Sequence, residues 1–162
     1  MGDKEMEIIS KQRCAIATPN GRFFVTAVKG GGKGELADKW PLHTDATKIR
    51  SWEQFDLVDQ GGGWVAIRTA GGYFLSAVNG GGVGEKADFY PIHTDSTHID
   101  SWEFFNICYL ENGKCAIQTS SGNYLTAVRE GNMHEGHAAI NTDASKVGPN
   151  EKFYLVKLPN VK

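Results

Sequence analysis

The chain has 162 residues, 17 of them basic and 19 acidic, for a formal net charge of -2. That length suits one domain able to bury roughly two thirds of its unfolded surface. The near-neutral charge gives no counterion-release advantage for binding nucleic acid or an anionic membrane, so small partners and neutral polymers are favoured.

The first ten residues, Met1 to Ser10, carry four charges and no apolar run of the length a secretory signal needs. No segment approaches membrane-spanning length, so no membrane insertion is expected. These features predict a cytoplasmic protein, or an extracellular one if the chain is part of a larger secreted protein. Met6 stands where a myristoylation signal wants Ser or Thr, which argues against lipidation.

From Lys11 onward one unit is written three times, over about 11–60, 61–111 and 112–160. The copies open with Cys14-Ala15-Ile16-Ala17-Thr18, Val65-Ala66-Ile67-Arg68-Thr69 and Cys115-Ala116-Ile117-Gln118-Thr119. Each alternates apolar with small or polar residues, as a half-buried strand does. Cys14 and Cys115 share their place with Val65, so they read as small buried hydrophobes rather than redox or metal groups. Turns follow at Pro19-Asn20-Gly21, Ala70-Gly71-Gly72 and Ser120-Ser121-Gly122, with the residues that tolerate positive φ.

The second strands are rich in aromatic and β-branched residues: Phe23 to Val28, Tyr73 to Val78 and Tyr124 to Val128. Glycine-rich loops open after them, at Gly30-Gly31-Gly32-Lys33-Gly34, Gly80-Gly81-Gly82-Val83-Gly84 and, less purely, Glu130 to Gly136. Neither a helix start nor a lysine-serine pair follows, so these are not phosphate loops, and they read as flexible hairpin excursions.

The third strands hold His43-Thr44-Asp45, His93-Thr94-Asp95 and Asn141-Thr142-Asp143. Then come Ser51-Trp52-Glu53-Gln54-Phe55, Ser101-Trp102-Glu103-Phe104-Phe105 and a worn copy, Asn150-Glu151-Lys152-Phe153. The fourth strands start at these phenylalanines, with Phe and the following Leu or Ile directed inward. Four strands in each of three copies predict an all-β protein. Four strands alone cannot bury their aromatic face and their edges, so the three copies must share one core. Closing twelve strands with threefold pseudosymmetry gives a β-trefoil, a single domain over residues 1–162.

The pattern of Tyr or Phe-Leu-Thr or Ser-Ala, a Gly-rich loop, then Trp-Glu-x-Phe resembles the fascin-like, actin-cross-linking β-trefoils. It is also similar to trefoil modules attached to bacterial polysaccharide hydrolases, and the resemblance spans residues 14 to 158. It implies a non-enzymatic binding module without a cofactor. Its partners would be glycans, a β-glucan or another neutral polysaccharide, or alternatively F-actin.

The residues supply a site of the first kind. With Phe55 and Phe105 as inward anchors, strand alternation sends Trp52 and Trp102 to the opposite side, where an indole can lie against the apolar face of a sugar. Glu53, Glu103, His43, His93, Asp45 and Asp95 would supply polar contacts, and Trp40 and Tyr90, each before a proline, would wall the pocket. The competing reading has the acids tying down turns through backbone N–H groups. The third copy keeps Asp143 and Glu151 without the Trp, which favours a structural part for the acids and a weak third site.

Catalysis is not expected. The three glutamates belong to separate copies, whereas glycoside hydrolysis needs two carboxyls roughly 5 to 10 Å apart. The five histidines lack His-Glu-x-x-His spacing, and no serine sits in a nucleophile elbow.

Overall fold

The computed structural model describes residues 11–32, 41–84, 91–133 and 139–159. Within them, the first repeat holds β1 (Lys11–Ala17), β2 (Phe24–Ala27), β3 (Leu42–Ala46) and β4 (Phe55–Gly61). The second holds β5 (Trp64–Arg68), β6 (Phe74–Ala77), β7 (Ile92–Ser96) and β8 (Phe105–Tyr109), and the third β9 (Lys114–Thr119), β10 (Tyr124–Ala127), β11 (Ile140–Ala144) and β12 (Phe153–Lys157). The second strands are shorter than expected. Val28, Val78 and Val128 each open a 3-10 turn instead, whose middle residue (Lys29, Asn79 or Arg129) takes positive φ.

First and fourth strands close on themselves. β1 pairs with β4, β4 with β5, β5 with β8, β8 with β9, β9 with β12, and β12 with β1, all antiparallel. This ring is a six-stranded barrel without a free edge. Second and third strands form the hairpins β2–β3, β6–β7 and β10–β11, each joined to the barrel through one residue pair at its base.

The core repeats with the chain. Phe55, Phe105 and Phe153 are 1%, 0% and 1% exposed, and they stand opposite Cys14, Val65 and Cys115 on the neighbouring strands. Ile16, Ile67 and Ile117 add a second layer, and Val25, Leu75 and Leu125 reach it from the hairpins. Burial raises the Cys14 thiol to about 12 and the Cys115 thiol to about 11, as expected of inert core cysteines.

The repeats are also tied in a cycle. Gly32 N–H donates to Thr94 O at 2.5 Å, Gly82 N–H to Thr142 O at 2.5 Å, and Asn132 N–H to Thr44 O at 2.7 Å. Each repeat thus grips the third strand of the next, and the last grips the first. Beside these bonds, a Cβ on Gly31, Gly81 or Gly131 would collide with Thr69, Thr119 or Thr18, and all three glycines have φ above 100°. Only glycine meets both conditions. The described start of each glycine-rich loop is therefore a fixed interlock between repeats, not the flexible excursion its composition suggests.

Candidate functional site

The site is built on a three-residue turn. Ser51–Glu53, Ser101–Glu103 and Pro149–Glu151 are single 3-10 turns leading into β4, β8 and β12. Side chains on a 3-10 turn are spaced about 120° apart, so the last can point inward while the middle one points out. This, rather than strand alternation, turns Trp52 and Trp102 to the surface. They are 42% and 43% exposed, while Glu53 and Glu103 are 6% and 5% exposed.

Both oxygens of each glutamate are occupied inside its own repeat. Thr26 Oγ1 donates to Glu53 Oε2 at 2.6 Å and Arg50 N–H to Oε1 at 2.8 Å. Ser76 Oγ donates to Glu103 Oε2, and Asp100 N–H to Oε1 at 2.8 Å. In the third repeat Thr126 Oγ1 and Gly148 N–H each donate to Glu151 at 2.7 Å. Each carboxylate thus fastens the turn to the hairpin through a charge-assisted hydrogen bond. The expectation that Glu53 and Glu103 offer acceptors to a ligand is replaced by this inward role, and Glu151 shares it where no tryptophan is present.

An open recess of about 540 Å³ lies beside Trp102, bordered by Asp95, Thr97, His98, Asp100 and Ser101 and floored by Glu103. Of the expected group, Asp95, Trp102 and Glu103 meet there. His93 does not line it. It stands opposite Ser76 on the hairpin, half-buried, with Nε2 sealed from solvent and without a hydrogen-bond partner. His43 holds the same register opposite Thr26, and Asn141 opposite Thr126. Asp143 of the third repeat lies against Gly84, where a Cβ would collide with its carboxylate. Trp40 and Tyr90 lie outside the described residues.

His98 and Asp100 were not anticipated. They sit in the link between third strand and turn, where the repeats differ: Lys48 and Arg50 in the first, Lys146 and Gly148 in the third. A search for shared residues passes over such positions. Trp64, where the other copies have Arg13 and Lys114, stacks on Phe104 at 6.0 Å between centroids. Among the described residues no cluster of His, Cys, Asp and Glu is arranged to hold a metal.

No protein-family model matches the sequence, and no curated protein is similar to it. Solved structures are. A designed threefold symmetric protein, ThreeFoil, superposes with a TM-score of 0.72 at 14% identity, over 90% of this chain and 99% of that one. The BEL beta-trefoil matches at 0.62 and 9% identity, over 91% of this chain and 93% of that one. The chain is a β-trefoil. A third trefoil neighbour, SeviL bound to asialo-GM1 saccharide, matches at 0.61 and 15% identity, over 90% and 97% of the two chains. At such identities these likenesses establish the trefoil architecture, and none of the three carries the finer fascin-like resemblance.

Proposed function

We propose that this β-trefoil is a non-enzymatic, lectin-like module that binds glycans at the Trp52 and Trp102 turns. The observation that carries the reading is a pair of large indoles left over 40% exposed on rigidly fastened turns, although the third repeat builds the same turn with Asn150. The fold does not require a tryptophan at this position. An exposed aromatic platform beside an open, polar recess suits a sugar, which offers one apolar face and a rim of hydroxyls.

In this reading Trp52 and Trp102 stack on the ring, while Asp45 and Asp95 with the neighbouring loop hydroxyls accept and donate at its edge. Glu53 and Glu103 hold the platforms in place, and His43 and His93 support the hairpin beneath. Trp40 and Tyr90 remain candidate walls of the same sites. The third repeat, with Asp143 and Glu151 but no indole, adds a poor site at most. Shallow sites bind weakly one at a time, and two on one polymer gain through effective concentration.

Asialo-GM1 saccharide, named with a structural neighbour, and a β-glucan, suggested by the sequence resemblance, are the first probes. A glycan array run beside actin co-sedimentation separates the lectin reading from an F-actin-binding one. Retention of glycan without release of reducing ends, lost when Trp52 and Trp102 are both replaced by alanine in a folded protein, supports the proposal. Sedimentation with actin and no glycan retention overturns it.

A further inference from the structure

The two tryptophan turns match in geometry and differ in charge. Around Trp102 stand Asp95, His98 and Asp100, all exposed. The first repeat has Asp45, Lys48 and Arg50 in those places. Because Arg50 N–H binds Glu53 just as Asp100 N–H binds Glu103, Arg50 occupies the position of Asp100 on its turn. Lys48 and Arg50 are exposed, and neither forms an ion pair with a described residue.

The difference continues on the other flank. Ser51 and Gln54 border a smaller recess of about 120 Å³ with Arg13, Arg68 and Asp56. Asp56 is buried, 2.6 Å from Arg13 Nε and 4.0 Å from Arg68 Nη1, so one carboxylate faces two guanidinium groups. The matching positions beside the second turn are Trp64, Gln118 and Asn106. These are uncharged, and Asn106 Nδ2 donates to Gln118 Oε1 at 3.4 Å.

We infer that the two sites are of different specificity: the Trp52 site takes glycans bearing a carboxylate or sulfate, and the Trp102 site takes uncharged ones. The inference rests on the glycan-binding reading and assigns it a ligand class at each turn. Lys48 and Arg50 hold the places from which His98 and Asp100 border the Trp102 recess, and charges act over a Debye length of about 8 Å at physiological salt. Arg50 also offers the planar fork that matches a carboxylate or sulfate. At the second turn two aspartates on the rim repel the same group, which is discrimination by an unfavourable contact.

The test uses the full chain with one site disabled at a time. Trp102→Ala leaves the first site and Trp52→Ala the second; each is titrated by calorimetry with asialo-GM1 saccharide and with its sialylated counterpart, and with a β-glucan oligosaccharide and its sulfated form. The charged-to-neutral affinity ratio is expected to be at least about fivefold higher for the first site, and to converge with that of the second in high salt. Lys48→His with Arg50→Asp, added to Trp102→Ala, is expected to lower the ratio to that of the second site. Lys48→Gln with Arg50→Gln makes the same test with less change. Equal ratios at the two sites overturn this inference while leaving the glycan reading intact. Failure of either single-site variant to hold any of the four saccharides overturns both.

Discussion

The second and third repeats build the same turn for different ends. Both fasten a glutamate to a hairpin hydroxyl and to a backbone N–H three residues earlier. One then presents Trp102 at 43% exposure, and the other carries Asn150 in its place. The turn is thus complete without the indole. What persists in every copy belongs to the fold, and what is present in two and absent from the third is available for binding.

That division can be broken first at the core. Phe105→Ala should destabilise by about 3 to 5 kcal/mol, and Phe153→Ala by a similar amount, because both anchors are sealed. Urea denaturation measures this, and a much smaller loss in the third repeat would mean that the repeats are not energetically equivalent. Next come the carboxylates. Glu103→Ala and Glu151→Ala each strand two donors and should cost about 2 to 4 kcal/mol, whether or not a tryptophan stands beside them. If Glu151→Ala is silent, the acid serves the indole rather than the turn.

Trp102→Ala should change stability by no more than about 1 kcal/mol while removing its share of glycan retention. Asn150→Trp, the reverse exchange, should add a third platform and raise retention on a polymer severalfold through effective concentration, read by affinity chromatography. The smallest change is expected at the thiols. Copying Val65 into the other repeats, with Cys14→Val and Cys115→Val, should be tolerated within about 1.5 kcal/mol. In the parent protein, burial holds both thiols protonated up to about 11 and about 12, while unfolded cysteine ionises near 8.5. Their contribution to stability is therefore complete below about pH 8.5 and is lost as the pH climbs toward the folded values. Iodoacetamide at pH 8 should accordingly label the partly exposed Cys108 before either of them.

Most of the architecture was legible because it is written three times. Overlaying the copies aligns Phe55, Phe105 and Phe153, and alternation about them gives the barrel strands. The turn-fastening part of Glu53 and Glu103 was half legible: Glu151 persisting without a tryptophan pointed to it, and the backbone N–H bonds bear it out. Its burial was not, since a glutamate after a tryptophan reads alike on either side of a backbone. A three-residue 3-10 turn is also too short to leave a period. The interlock of Gly31, Gly81 and Gly131 was hidden for another reason: glycine composition reports freedom, and only the fold reveals what lies against it. His98 and Asp100 escaped because they vary between copies, which is the property that lets two similar sites differ.

Glycan binding at these turns requires Trp52 and Trp102 to touch the ligand. Indole N–H resonances of the four tryptophans, followed while asialo-GM1 saccharide or a β-glucan oligosaccharide is added, test this directly. Those of Trp52 and Trp102 should both move to saturation, Trp102 at the lower concentration of these uncharged saccharides, and that of Trp64, stacked on Phe104, should stay. Saccharide binding that leaves the first two resonances in place would contradict the account.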